Sequence, residues 1–187
     1  MNADAPEVPV RMGELALGRP PTILKATLGS CVGIAFVWRE RGLCALAHCL
    51  LPRAPAPDWP RGARYVDQAI ASMLQLMQAA PEHLAQIEAH VAGGANMSRR
   101  AAGDSRTPMV GQLNVEALLS LLAARRIALS SRDLGGDHAR QMRLDCTTAT
   151  LTVAAVAMPG ADASATQRFD RRAREGVRAA ARRSFPA

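Results

Sequence analysis

Aromatic side chains are scarce in this chain of 187 residues: two Trp, one Tyr and three Phe amount to 3% of it. Hydrophobic residues reach 49%, enough for a sizeable core, but that core has to be built from Ala, Leu, Val, Ile and Met. Lysine is almost missing as well. Lys25 is the only one, every other basic residue being arginine. No apolar run approaches the roughly eighteen residues of a membrane span, so no transmembrane segment is expected. The opening Met1-Asn2-Ala3-Asp4-Ala5-Pro6-Glu7 lacks the basic-then-apolar order of a targeting segment, and a cytoplasmic protein is the expectation. Cysteine is confined to positions 31, 44, 49 and 146, with neither a compact disulfide framework nor a CxxC knuckle. Reduced thiols are expected, and neither metal nor cofactor.

What is present reads as strands interleaved with helices. Residues 1 to 20 are Pro-rich with a short apolar stretch, and 20 to 27 suit a strand. Val32 to Trp38 and Leu43 to Leu51 read as two more, joined by the charged, glycine-ended connection Arg39-Glu40-Arg41-Gly42. Pro52 opens a long loop. The spacing of Val66, Ala69, Ile70, Met73, Leu74 and Met77 predicts an amphipathic helix closed by Pro81, and Val115 to Arg126 predicts a second with Asn114 as its N-cap. Ile87, Ala89 and Val91 alternate as a strand ending at Gly93-Gly94. Strands are also expected over 127–131, 142–146 and 150–156, with Thr147-Thr148 at a turn. His83, His90 and His138 are read as surface or turn residues. Residues 1–160 form the expected domain. The segment 161–187 carries seven arginines against Asp162, Asp170 and Glu175, a net of +4 out of the chain's +7. With only Phe169 and Phe185 for stacking and no recognised module, it suits attraction to acidic partners or simple solvation, and no nucleic acid is expected.

The informative pair is Cys31 and His48. In an antiparallel hairpin with a two- or four-residue loop, paired positions sum to an odd number, and the two residues then project to one face as direct or diagonal neighbours. A three-residue loop would set them on opposite faces. Val32, Ile34, Phe36 and Trp38 form the bulky face, while Cys31, Gly33 and Ala35 form a small one that leaves space above the thiol as a floor for a site. Cys31, Cys44, His48 and Cys49 would make a zinc set by residue type, but parity turns Cys49 away from Cys44 and His48.

The words around this pair, Leu28-Gly29-Ser30-Cys31-Val32 and Ala47-His48 with Leu51-Pro52, are followed by Arg64-Tyr65-Val66-Asp67 and Gly93-Gly94-Ala95-Asn96-Met97. Val110-Gly111 with Asn114, then Asp133 with Gly135-Gly136 and Arg140, complete the series. In this order they resemble the chemoreceptor glutamine deamidases of bacterial chemotaxis, the CheD family, over about residues 10 to 157.

That resemblance implies hydrolysis of glutamine side chains in methyl-accepting chemotaxis receptors, with Cys31 as nucleophile, His48 as acid and base, and no cofactor. It implies an α+β fold of layered mixed β-sheets with flanking helices, similar to the deamidase domain of cytotoxic necrotizing factor. It also implies the receptors as partners and a CheC-type phosphatase as a further one. Ser30, Gly93, Gly94 and Asn96 form the expected substrate-binding set, although the glycine pair also suits a structural turn. The backbone amides around Gly29 to Cys31 are candidates for the oxyanion. The chain departs from the family at two places. The threonine that orients the histidine is replaced by Lys25 and Ala26, leaving Thr27 to serve if the strand slips, or Lys25 to favour the thiolate unless it faces solvent at a sheet edge. An arginine usual before Asn114 is Leu113. These departures keep open a second reading, an adaptor that binds but no longer turns over.

Overall fold

The computed structural model describes residues 5–56, 60–96 and 109–156. The expected segment 161–187 and Met97 lie outside them. The strands are β1 (Glu7–Pro9), β2 (Leu15–Gly18), β3 (Ile23–Leu28), β4 (Val32–Trp38), β5 (Leu43–Cys49), β6 (Glu88–Gly93), β7 (Ala128–Leu134), β8 (Arg140–Asp145) and β9 (Thr150–Ala155). Two helices, α1 (Val66–Leu76) and α2 (Val110–Ala124), stand between them in sequence.

The strands form two mixed sheets, one ordered β1-β3-β8-β9 and the other β2-β5-β4-β6-β7. Only β1 with β3 and β6 with β7 run parallel. The architecture is therefore α+β with layered mixed sheets. Strand alternation divides the apolar residues between two cores. On one face of the five-stranded sheet, Val32, Ile34, Phe36 and Trp38 pack with Ile70, Met73 and Leu118 of the helices. On the other, Ala35, Val37, Cys44 and Leu46 meet Leu24, Leu28, Met142 and Leu144 of the four-stranded sheet. No helix among the described residues is long and apolar enough to cross a membrane.

The second core corrects one expectation. The small face of β4 is not an open floor, because the four-stranded sheet lies on it. A Cβ at Gly33 would stand 2.3 Å from Met142 Sδ and 2.8 Å from Leu28 Cδ1, so glycine there is what lets the layers close. Two further differences concern elements. The stretch read as Pro-rich holds β1 and β2, and α2 begins at Val110 rather than after Asn114. Gly111 explains the earlier start: a Cβ there would lie 2.7 Å from the Gly94 carbonyl, so its absence lets the first turn settle onto the end of β6.

Candidate active site

The β4–β5 hairpin turns through Arg39–Arg41 and Gly42, the latter at φ 58. This is the four-residue connection, and the pairing follows: Val32 opposes Cys49 and Gly33 opposes His48. Cys31, one residue before β4, is diagonal to His48, a relation that brings Cβ atoms to roughly 7 Å or somewhat less. Both face the second core. Cys31 packs against the cluster of Ala35 and Leu46, whereas Cys49 belongs to the helix-side core, so the cysteines do not converge with His48 on one point.

His48 is held from a segment the sequence did not single out. Its backbone bonds to both sides of the turn after β1, with His48 N–H donating to the Glu14 carbonyl (3.0 Å) and Gly13 N–H donating to the His48 carbonyl (2.8 Å). Its Nδ1 lies 3.2 Å from the Val10 carbonyl. A carbonyl can only accept, so Nδ1 carries the proton and Nε2 keeps its lone pair. That Nε2 is buried without a hydrogen-bond partner among the described residues. Burial lowers the pKa of His48, against the opposing pull of the Val10 carbonyl and the Glu14 carboxylate. Burial likewise pushes the half-buried Cys31 thiol up, with its own backbone amide opposing. Both shifts favour a neutral thiol and a neutral imidazole over a preformed ion pair.

The loop carrying the thiol is pinned by three consecutive carbonyls. Gly29 O accepts from Ala95 N–H (2.9 Å) and Cys31 O from Gly94 N–H (2.8 Å). Ser30 O accepts from Asn114 Nδ2 (3.2 Å), which also donates to Leu50 O (2.9 Å). Because a trans peptide sets each N–H opposite the preceding C=O, these bonds turn the amides of Ser30 and Cys31 the other way, free of the ladder. Asn114 is 0% exposed and lies inside α2. It is therefore not the N-cap its sequence context suggests but a clamp between the strand ends bearing Cys31 and His48.

The glycine pair serves this loop. Gly93 and Gly94 have φ 103 and 69, and a Cβ at Gly93 would stand 2.2 Å from the Cys31 carbonyl. The Gly94 amide is spent on Cys31, and the Asn96 amide donates to Gly136 O (2.8 Å), so neither is left for a substrate carbonyl. The Asn96 side chain is exposed and Ser30 is half-buried. Behind them, Arg140, 2% exposed, donates to Asp133 (2.9 Å) and to the His138 carbonyl (3.2 Å), fixing the turn whose Gly135 N–H bonds Gly93 O. The Arg64-to-Asp67 word closes the long loop: Arg64 O accepts from Leu50 and Leu51, and the Asp67 carboxylate accepts from Ala54 N–H.

Thr27 and Lys25 do not join the site. Alternation along β3 sends Leu24, Ala26 and Leu28 into the core and turns Thr27, exposed, and Lys25 outward. Val10 O takes the orienting contact assigned to Thr27. Lys25 Nζ pairs with Glu7 at 3.3 Å, on a strand flanked by β1 and β8, so it is neither a thiolate partner nor an edge lysine.

Residues 50–155 match the family described as CheD chemotactic sensory transduction. The chain belongs to the CheD family. That match begins just beyond His48 and Cys49. The chain is 39% identical over 137 residues to a probable chemoreceptor glutamine deamidase CheD of Bdellovibrio bacteriovorus, covering 72% of this chain and 86% of the relative. It is 33% identical over 156 residues to a probable chemoreceptor glutamine deamidase CheD 2 of Ruegeria sp., covering 75% and 87%. Among solved structures, a Neisseria meningitidis protein of family DUF152 shares 11% identity at a TM-score of 0.38 over 71% of this chain and 63% of its own. That likeness carries no argument. The words at Gly93-Gly94, Asn114 and Asp133 to Arg140 fall on the supports of the loop that holds Cys31, and the Arg64-to-Asp67 word on the closure of the long loop.

Proposed function

We propose that this CheD-family chain is a protein-glutamine deamidase acting in the cytoplasm on methyl-accepting chemotaxis receptors. The observation that carries the proposal is the His48 Nε2 lone pair, partnerless and fixed in tautomer by Val10, on the sheet face that also carries the half-buried Cys31 thiol. As Cys31 Sγ attacks the glutamine amide carbon, His48 Nε2 takes the thiol proton. The tetrahedral oxygen develops its charge toward the outward amides of Ser30 and Cys31. His48 returns the proton to the departing nitrogen, so ammonia leaves and a thioester remains. Water, deprotonated by the same nitrogen, then releases glutamate and the free thiol.

Ser30 and the Asn96 side chain are assigned to the rim that meets the substrate, and Gly93 and Gly94 to the support behind it. On this reading the layered architecture is that of the deamidase domain of cytotoxic necrotizing factor, and a CheC-type phosphatase is a partner. Ammonia release from a receptor cytoplasmic fragment tests the enzyme. Wild type is expected to release ammonia, while Cys31→Ala and His48→Gln do not. Equal signals from wild type and Cys31→Ala would sink the proposal and leave the binding role.

A further inference from the structure

A second thiol site stands at the far end of β5. Gly18 opposes Cys44 in the pairing of β2 with β5, and a side-chain carbon added at Gly18 would lie 2.5 Å from Cys146 Sγ. The Cys146 sulfur therefore fills the room left by the missing side chain beside Cys44. It comes from the four-stranded sheet, just after β8, while Cys44 belongs to the five-stranded one. Both sulfurs belong to the core between the sheets, and both residues line a partly open cavity of about 220 Å³ with Trp38, Arg39 and Thr148. Cys44 and Cys146 are themselves 1% and 3% exposed, so the cavity marks the side from which a small disulfide must approach.

We propose that Cys44 and Cys146 form a dithiol site that reacts with low-molecular-weight disulfides and closes into a bond between the two sheets. Cys44 is the attacking group. Arg39, which lines the same cavity, and the hydrogen bond between the two thiols favour its thiolate. The Cys44 thiolate attacks one sulfur of RS–SR, breaking that bond, and one RSH departs. Cys146, losing its proton to solvent, attacks the Cys44 sulfur of the mixed disulfide, and the second RSH departs. The two protein thiols give up two electrons and two protons, and the small disulfide is reduced to two thiols.

Cys31 is set apart from this chemistry. Cys44 pairs with Val37, which lies six residues along the chain from Cys31, or about 20 Å at strand spacing.

The test uses the full reduced chain incubated with oxidised glutathione, followed by alkylation and non-reducing peptide mass mapping. The expected product is a Cys44–Cys146 cross-link with Cys31 still alkylated. Cys146→Ser should stop at a glutathione adduct on Cys44, and Cys44→Ser should leave Cys146 unmodified. A cross-link appearing only in denaturant, or no modification of Cys44, would each overturn the assignment.

Discussion

Replacing Asn114 by alanine isolates what the clamp contributes. Its Nδ2 serves two carbonyls, Ser30 O and Leu50 O, at 3.2 and 2.9 Å, from a side chain without exposure. Stranding a buried acceptor costs about 1–3 kcal/mol. Two acceptors on half-buried residues lose this donor, and the unpartnered Oδ1 of Asn114 disappears with the substitution, so a net loss of about 1–3 kcal/mol is expected in urea unfolding. Under the proposed mechanism the catalytic consequence is larger and separable. Freeing Ser30 O lets the amide of Cys31 swing, and losing one aimed oxyanion donor lowers kcat by about 10²–10³. The thiol and imidazole keep their other supports, so alkylation of Cys31 by iodoacetamide should stay within about twofold of wild type, as the alkylation passes through no oxyanion. Asn114→Asp, which turns a carboxylate oxygen toward the two carbonyls, should be worse than alanine. The reasoning fails if alkylation and deamidation fall together, or if deamidation survives in a folded variant.

Gly33→Ala should destabilise by about 1–3 kcal/mol through overpacking against Met142 and Leu28, read as a lower Tm, and the same substitution should cost much less when made in a Met142→Ala background. Burial lowers the pKa values of His48 and His90 below the unfolded 6.5, so the unfolded chain binds more protons. Their contribution to stability is complete above pH 6.5 and is lost as pH falls through the folded values, a slope that urea midpoints should show and that His48→Gln should flatten. Lys25→Thr should leave the pH profile of Cys31 alkylation unchanged, because the ammonium is held by Glu7 on the outer face; a shifted profile would return the lysine to the site.

The hairpin was legible because alternation and loop length are local properties: β4 has the expected bounds, and the connector Arg39 to Gly42 decides the parity. The turn from Asp133 to Arg140 was likewise readable from its glycines and opposite charges. The contacts that complete the candidate site were not. Val10 acts through a backbone carbonyl, which every residue possesses, so nothing in residue type marks it. Asn114 looked like a cap because asparagine before an apolar run usually is one, and its real targets lie on strands far away in sequence. Thr27 failed for the opposite reason: its alternation was readable, but which side of β3 meets the core depends on the second sheet. The space over Gly33 was misread for the same cause, since a run of small residues does not say whether a void or a neighbouring layer lies above it.

The three tethered carbonyls around Cys31 belong to bonds with three different donors, two at the end of β6 and one on α2. Such a loop has little slack, so under the proposed function Cys31 cannot travel toward a glutamine; the substrate side chain must reach down to it. Accommodation then rests with the substrate, and glutamines on locally loosened segments should react ahead of equally exposed ones in well-formed structure.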